Sequence, residues 1–345
     1  MADPQKRVPI INKGRKVMRS LRLLIAVLSS LAGLFSLAPL WAQELKVGYT
    51  SRTLTNIPTL WVAERQKFYD AEGLKPVHVL TGSAAVNLQA LIANEIQFSA
   101  TSPDLSIIAN STRGTNLKVI GGICNGAPFV IIGGKGYKTV ADLKGAKLAV
   151  SSLKGGATTF LLEYLRARGL VYPKDYTLIL VSGGTPVRLT AIQNGSVAAS
   201  VLGSPVSDKA LEMGMNKIGD IADVIPEYQF TALIVDSSWA ARNRPLVVRF
   251  LKAHIRSARW IYGNLEPASR LMSEALGIEL KYARIGMSYF TARKLIPPDG
   301  SVTLDGMKLN LKSLINDGAI KKDSALSLED MVDLSYFREA LAELQ

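Results

Sequence analysis

Three stretches rich in glycine, serine and threonine could hold a small anion. They are Gly82-Ser83-Ala84-Ala85, Lys154-Gly155-Gly156-Ala157-Thr158-Thr159 and Ser182-Gly183-Gly184-Thr185-Pro186, and each comes directly before a segment with helical patterning. The first turn of a helix has unpaired N–H groups and a partial positive charge, so it binds carboxylate, sulfonate or phosphate without a salt bridge. For any one stretch taken alone, helix N-capping is a slightly better explanation than anion binding, because Ser, Thr and Gly are preferred at that position. Three stretches at corresponding positions favour a binding cleft.

Further candidates for this cleft come from the loop Tyr49-Thr50-Ser51-Arg52-Thr53, which could add an aromatic face and a guanidinium. Arg188 is a second candidate cation. For either arginine, a surface position is favoured over a ligand contact by a small margin. The predicted ligand-binding residues lie in these loops and at two Ser-Pro turns, and they are Tyr49, Thr50, Ser51, Arg52, Ser83, Ala84, Thr101, Ser102, Ala157, Thr158, Gly184, Thr185 and Ser204.

Residue types needed for other chemistry are scarce. Cys124 is the single cysteine, which excludes an intramolecular disulfide and a cysteine-based metal site. The two histidines, His78 and His254, lie far apart in sequence and are interpreted as packing residues. There is no zinc-binding His-Glu-x-x-His, no Gly-x-Ser-x-Gly elbow and no phosphate-binding loop that ends in Gly-Lys-Ser/Thr. We therefore expect no catalytic residue, no metal and no cofactor.

The first forty-two residues have the layout of a secretory signal peptide. A basic stretch over residues 13–22 precedes an apolar run over residues 23–40, and the small residue Ala42 offers a cleavage site. The apolar run is close to the ~20 residues that span a bilayer, so a retained signal anchor is the alternative, and Met18 is an alternative start. In the segment Leu31-Ala32-Gly33-Leu34, Leu34 stands where a lipoprotein would need cysteine. We expect cleavage near Ala42 and export to the periplasm.

The charge of the remaining chain is modest. Without residues 1–42 it has 34 basic and 27 acidic residues, so the net charge falls from +13 to +7. These charges are scattered, with no dense basic run and no nucleic-acid motif, and we expect no nucleic-acid partner. A positive field could still help to collect anionic ligands. A chain of about 300 residues is longer than one compact domain usually is, and this length is suited to two lobes.

The hydrophobic pattern over residues 44–235 alternates short strand-like and helical segments, which predicts an α/β fold with largely parallel sheets. The first elements are a strand at 45–49, a helix from Pro58 to about Gly73 and a strand at 76–80. The rest of the chain is predicted to be a helical flank. Its helices are expected at residues 245–262, 266–275, 280–292, 308–317 and 336–344.

A weak internal repeat has an offset of 101 residues. Each copy contains a loop, a short helix, a tight turn, a strand and a Ser-Pro turn. The matched positions are Val86, Leu88, Ala90, Leu91, Ile96 and Ser99 with Val187, Leu189, Ala191, Ile192, Val197 and Ser200. Chance similarity between two generic units is the alternative. If the repeat is real, two lobes of like topology face one another, and the loops that follow their strands converge on one cleft.

Three segments carry a family resemblance. Lys138-Thr139-Val140-Ala141-Asp142-Leu143-Lys144-Gly145-Ala146-Lys147-Leu148-Ala149-Val150, together with residues 88–98 and 239–251, resembles the SsuA-like group of periplasmic solute-binding proteins of type II topology. That group serves ABC importers of aliphatic sulfonates, nitrate, taurine and thiamine-pyrimidine precursors. The likeness covers roughly residues 44–262. Asn94 and Gln97 replace the Gly and Asp that the group usually has, but Asn tolerates the left-handed backbone that Gly would supply.

The resemblance implies a two-lobed α/β binding protein with extra C-terminal helices. Residues 43–125 and 226–345 would form lobe I, residues 126–225 would form lobe II, and segments 121–126 and 226–230 would form the hinge, with Cys124 as a small buried residue there. The implied function is the substrate-binding component of an ABC-type importer. It would capture a small organic anion or zwitterion, which could be sulfonate-, carboxylate- or pyrimidine-like, by hinge closure, as a monomer that delivers to an inner-membrane permease.

Two rival functions stay open. One is a receptor for a sensor or for another transporter type. The other is a pyrimidine-synthase-like enzyme of the same fold, which needs a cysteine cluster for iron and a histidine donor. A chain whose single cysteine is Cys124 lacks that cluster, and the sequence therefore favours a binding protein over an enzyme.

Overall fold

The computed structural model describes residues 45–153 and 157–345. The predicted signal peptide, residues 1–42, lies outside the described residues, and so do residues 154–156 of one predicted cleft loop. Ten strands are described: β1 Lys46–Tyr49, β2 Val77–Leu80, β3 Phe98–Thr101, β4 Leu117–Asn125, β5 Phe129–Gly133, β6 Lys147–Val150, β7 Thr177–Leu180, β8 Ala199–Gly203, β9 Asn216–Asp220 and β10 Gln229–Asp236.

Fourteen α-helices are described, most of them on the faces of two sheets. They are α1 Pro58–Arg65, α2 Phe68–Ala71, α3 Ala84–Ile92, α4 Asp104–Arg113, α5 Ala157–Arg166, α6 Thr185–Gln193, α7 Val206–Glu212, α8 Ser237–Arg242, α9 Arg244–Gly263, α10 Leu265–Leu276, α11 Leu280–Ala292, α12 Leu304–Asn316, α13 Leu328–Met331 and α14 Ser335–Ala342. None of the helices in the described ranges is long and apolar enough to cross a membrane.

The strands form two five-stranded sheets with the orders β2-β1-β3-β10-β4 and β7-β6-β8-β5-β9. The expectation of largely parallel sheets is met only in part, because one strand in each sheet runs antiparallel to its neighbours. In the first sheet β1 pairs in parallel with β2 and β3, whereas β10 is antiparallel to β3 and β4. In the second, β6 pairs in parallel with β7 and β8, whereas β5 is antiparallel to β8 and β9.

Chain crossings between the sheets explain the antiparallel strands. The chain leaves the first sheet at Asn125 and enters β5 of the second at Phe129, and it returns from β9 into β10 at Gln229. A helical βαβ crossover within one sheet places its two strands parallel. A strand that enters from the other sheet has no such crossover before it, so it can pair antiparallel with its neighbours. The segments predicted as a hinge lie at and beside these crossings.

The two copies of the internal repeat adopt the same local structure, as predicted. Helix α3 is followed by a turn and β3, and helix α6 is followed by a turn and β8. The turns need a left-handed residue, which is Asn94 (φ 58°) in the first copy and Gly195 (φ 73°) in the second. Asn94 therefore does take the conformation that glycine would supply.

The C-terminal region is helical, as predicted, although some predicted helices differ in detail from those in the structure. The helix expected from Pro58 to about Gly73 is split into α1 and α2, because Lys67 between them has a left-handed backbone (φ 57°). In the C-terminal region the short helices α8 and α13 are missing from the prediction. Helix α9 covers the first sheet, and Phe250 of this helix stacks on Phe98 of β3 with ring centroids 4.0 Å apart.

Candidate ligand-binding cleft

A cleft lies where the loops that follow β1, β2 and β3 meet the loops that follow β6 and β7. Its empty volume is about 720 Å³, part of which is open to solvent. The described residues that line it are Thr50, Ser51, Thr53, Thr55, Asn56, Gly82, Ser83, Ala84, Thr101, Ser102, Leu105, Phe129, Ser151, Ser152, Ala157, Gly184, Thr185, Arg188, Phe230 and Thr231.

Nine of the thirteen predicted site residues line this cleft: Thr50, Ser51, Ser83, Ala84, Thr101, Ser102, Ala157, Gly184 and Thr185. They come from both copies of the repeat and from both sheets. The carboxyl ends of β1, β2, β3, β6 and β7 meet at this place, which is why residues far apart in sequence come together.

The other four predicted residues do not line the cleft. Tyr49 is buried and packs its ring against Trp61, with centroids 5.1 Å apart, and Arg52 is exposed outside the lining. Thr158 is buried and donates a hydrogen bond to the Ser152 carbonyl at 2.6 Å. Ser204 donates to the Asp208 carboxylate at 2.6 Å.

Among the helix N-termini that border the cleft, those of α3 and α6 are capped differently. Ser83 precedes α3, and its hydroxyl accepts a hydrogen bond from the Val86 N–H at 3.3 Å. Gly184 precedes α6 with no side-chain cap and with φ 88°. A Cβ added at Gly184 would lie 3.2 Å from Ser51 Cβ. Glycine is therefore required at this point, both by its backbone and by the close approach of the Ser51 loop.

A network of hydroxyl and amide groups fixes the loop after β1. The Thr50 hydroxyl donates to Asn56 Oδ1 at 2.7 Å. Asn56 Nδ2 in turn donates to the hydroxyls of Thr55 at 3.0 Å and Thr53 at 3.3 Å. Because these side chains hold one another, this wall of the cleft presents ordered polar groups without a large loss of entropy on binding.

Arg188 of α6 is buried in the cleft wall, which corrects the expectation that it lies on the surface. Only 3% of the residue is exposed. Its Nε donates to the Ser200 hydroxyl at 3.1 Å and its Nη2 to the Val201 carbonyl at 3.5 Å, while the buried Nη1 has no hydrogen-bond partner. Burial lowers the pKa of the guanidinium to about 10, so it keeps its charge at neutral pH.

The equivalent position in the first copy of the repeat is Asn87, which is 101 residues earlier. The Ser99 hydroxyl donates to Asn87 Oδ1, and Asn87 Nδ2 donates to the Thr81 hydroxyl at 3.1 Å. Ser99 is itself 101 residues before Ser200, the partner of Arg188. The repeat thus builds the same side-chain pair twice, with a neutral and fully bonded amide in one copy and an under-bonded cation in the other.

An aromatic wall completes the cleft. The rings of Phe129 and Phe230 lie edge to face with centroids 4.7 Å apart, and Phe160 packs behind both. These two phenylalanines stand at the chain crossings between the sheets, where β5 and β10 begin. Sequence reasoning missed them because it looked for polar loop residues.

A buried carboxylate lies beneath the cleft. Asp104 is fully buried and accepts hydrogen bonds from the hydroxyls of Ser102 (2.9 Å) and Tyr228 (2.8 Å) and from Asn310 Nδ2 (2.7 Å). Burial, and next the Asp104 charge, raise the pKa of Tyr228 well above its usual value. This network connects the chain crossing at Tyr228 to α4 and α12, and it supports the cleft from below.

The two histidines and the single cysteine occupy packing positions. His78 stacks on Trp61 at 5.1 Å, and His254 Nε2 lies 2.9 Å from the Gly122 carbonyl. Cys124 is buried within β4, and burial raises the pKa of its thiol. Across residues 45–153 and 157–345, no group of three or more His, Cys, Asp or Glu is placed to hold a metal ion.

A family model matches the sequence and identifies the family of this protein. The model of the family described as NMT1/THI5 like matches residues 54–268, which is more than half of the chain, and the protein belongs to that family. Comparison with curated protein sequences gives no match.

Solved structures define the fold as that of the type II periplasmic binding proteins. The aliphatic sulphonate binding protein SsuA from Escherichia coli has a TM-score of 0.65 at 20% identity, over 85% of this chain and 99% of its own. The nitrate-binding protein NrtA from Synechocystis PCC 6803 has a TM-score of 0.72 at 16% identity, over 88% and 90%. The desulfurization enzyme DSZB has a TM-score of 0.65 at 15% identity, over 88% and 100%. The SsuA-like resemblance is confirmed, and the fold is shared by binding proteins and by an enzyme.

Proposed function

We propose that this protein is the periplasmic substrate-binding component of an ABC-type importer, which captures a small organic anion or zwitterion in the cleft. The observation that carries the proposal is the convergence of loops from both sheets on one partly open cleft. Such a cleft surrounds a ligand with hydroxyls, helix N-termini and one buried cation, all held before the ligand arrives.

Hinge closure is part of the proposal, with residues 43–125 and 226–345 as one lobe and 126–225 as the other. The two parts share buried contacts, such as Phe160 against Tyr228 with ring centroids 4.5 Å apart, and polar contacts nearer the surface. Arg166 pairs with Asp317 at 2.5 Å, and the Tyr282 hydroxyl donates to Glu212 at 2.5 Å. The partly exposed Arg166–Asp317 ion pair contributes little stability, so it can break and reform as the lobes move.

A binding role also fits the chemistry better than catalysis does. The single cysteine, Cys124, is buried within a strand, and a thiol with a raised pKa is a poor nucleophile at neutral pH. The described lining of the cleft contains hydroxyls, amides, apolar groups and Arg188, with no carboxylate or imidazole to act as a general base. DSZB has the same fold, and the proposal for this chain is that it binds without reaction.

Export through a signal peptide cleaved near Ala42, action as a monomer and delivery to an inner-membrane permease are parts of the same proposal. They can be examined together by expression of the full chain in a Gram-negative host. We expect the processed protein, beginning near Gln43, in the periplasmic fraction. Its native mass is expected to be that of one chain.

The cleft can be tested by blocking it. We expect Ser51→Trp and Ser83→Trp to abolish ligand binding with little loss of stability, because both side chains are half-buried at the cleft wall. A thermal-shift screen of sulfonates, carboxylates, pyrimidines and amino acids on the wild type would supply the ligand.

Ser288→Trp is the matched control, since Ser288 is exposed on α11 and lies outside the cleft lining. Calorimetry of all three variants with the same ligand decides the outcome. Unchanged affinity in both cleft variants would place the ligand elsewhere. A wild-type protein that carries no small molecule in native mass spectrometry and responds to no compound would contradict the binding function itself.

A further inference from the structure

The charge in the described cleft lining has a single sign, which is positive. Among the described lining residues, Arg188 is the one ionisable side chain, and the others are hydroxyl, amide, glycine or apolar residues. The buried carboxylate beneath, Asp104, already accepts hydrogen bonds from Ser102, Tyr228 and Asn310. A ligand in the cleft therefore meets one cation and no carboxylate of the described lining.

Arg188 lacks an anion in the described part of the chain. Its hydrogen bonds go to neutral oxygens of Ser200 and Val201, and its buried Nη1 has no partner. A buried charge without a counter-charge is unfavourable by several kcal/mol. A ligand anion would offset that penalty, while a neutral ligand would leave it in place.

The first copy of the repeat shows that the fold does not itself require a cation here. Asn87 occupies the matching position, pairs with the matching serine and has both ends of its amide hydrogen-bonded. The structural role of this position is therefore met by a neutral side chain. The guanidinium in the second copy adds a charge at the cleft. Packing does not require that charge, because a neutral side chain fills the same position in the first copy.

Another part of the cleft lining is apolar. Phe129 and Phe230 line the cleft with their rings edge to face, and Leu105 also belongs to the lining. Burying apolar ligand area is favourable by about 25 cal/mol per Å². An ammonium group would find no carboxylate in the described lining, and the helix N-termini that border the cleft carry partial positive charge.

We infer that the cleft selects an organic monoanion with an aromatic or alkyl body and discriminates against the corresponding zwitterion, with Arg188 holding the anionic group. This inference rests on the proposed function and narrows it. It excludes zwitterions from the proposed ligands and keeps organic anions. It also makes Arg188 the specificity-determining residue of the cleft.

Matched probes test the inference by isothermal titration at neutral pH on protein purified from the periplasm and dialysed. 3-Phenylpropanoate and phenylalanine differ by one ammonium group, and 3-phenylpropanoate and 3-phenylpropanamide differ by the charge. 2-Phenylethanesulfonate distinguishes a sulfonate from a carboxylate, and nitrate is an anion without an apolar body. We expect at least one of the two phenyl anions to bind about tenfold or more tightly than phenylalanine, the amide and nitrate, which is about 1.4 kcal/mol.

Two variants assign that preference to Arg188. Arg188→Met is expected to bind the anions no more tightly than the amide, whereas Arg188→Lys, which keeps the charge, is expected to retain part of the preference. Thermal melting of each variant checks that it folds. Arg242→Met, a change at an exposed arginine on α8, should leave all affinities as in the wild type.

Several outcomes would overturn the inference. These are equal or tighter binding of phenylalanine, the amide or nitrate, a preference for anions that survives in Arg188→Met, or no binding of any probe. The proposed function fails separately. It would still stand if the periplasmic protein carried a small molecule that Ser51→Trp lost, even where every matched probe failed.

Discussion

The two copies of the internal repeat place different side chains at the same point of the fold. Asn87 and Ser99 in the first copy correspond to Arg188 and Ser200 in the second. The first pair is neutral and its hydrogen bonds are complete, so it stabilises the fold. The second pair keeps an under-bonded cation in the wall of the cleft, which is unfavourable for folding and useful for binding an anion.

The largest contrast is expected in stability. Asn87→Leu removes an amide from the buried hydroxyl of Ser99 and the half-buried hydroxyl of Thr81, and we expect the free energy of unfolding to fall by about 2 kcal/mol. Arg188→Met removes a buried charge that has no counter-ion in the described structure, and we expect the free energy of unfolding of ligand-free protein to rise by about 1 kcal/mol. Urea denaturation of both variants measures the two values.

Arg242→Met is again the control for that contrast, with an expected change within about 0.5 kcal/mol. The proposed difference between the two copies would be contradicted if Arg188→Met lowered the free energy of unfolding as much as Asn87→Leu. In that case the arginine would hold the second copy together in the way that the amide holds the first.

A smaller contrast is expected at the two residues that precede α3 and α6. Gly184→Ala introduces a Cβ at φ 88° and 3.2 Å from Ser51 Cβ, and we expect it to lower the free energy of unfolding by about 1–2 kcal/mol. It should also weaken ligand binding, because it displaces the Ser51 loop. Ser83→Gly, the matching change in the first copy, should reduce stability by a few tenths of a kcal/mol.

Melting temperature and ligand affinity of both variants check this prediction. If Gly184→Ala were neutral in both measurements, the close approach of the two sides of the cleft in the structure would not describe the protein in solution. A large loss in Ser83→Gly would instead show that the hydroxyl cap of α3 contributes more than a typical cap.

The smallest effect is expected from pH. The pKa of Arg188 is lowered by burial to about 10, so the guanidinium is charged below that value and loses its proton above it. Affinity for an anion should change by less than about twofold between pH 6 and 9 and should fall as the pH rises through about 10. Titration calorimetry across this range, with Arg188→Lys as a comparison, checks the sign. An affinity that rises above pH 9 would contradict the assignment of the anion to Arg188.

Much of the framework could be predicted from the sequence because local chemistry determines it. The Gly, Ser and Thr loops before α3 and α6 and the turns at Asn94 and Gly195 follow from residue preferences that act within a few residues. The mixed sheets could not be predicted in this way. They depend on where the chain crosses between the sheets, and no local pattern encodes that crossing.

Arg188 was misjudged for a physical reason. Its neighbours Leu189 and Ile192 mark the buried face of α6, but a long cationic side chain next to such a face usually reaches solvent. The repeat offered a signal that could have located it, since Arg188 and Ser200 match Asn87 and Ser99. Two polar residues at inward positions of both copies indicate a buried pair. Phe129 and Phe230 gave no comparable signal, because their place in the cleft depends on the two crossings.

A crystal structure of the protein with 3-phenylpropanoate tests the central claim most directly, because it shows which copy of the repeat holds the anion. We expect a carboxylate oxygen within hydrogen-bond distance of Arg188 Nη1 and the phenyl ring against Phe129 and Phe230. A carboxylate bound at the N-terminus of α3 beside Ser83, with Nη1 of Arg188 still without a partner, would contradict the account.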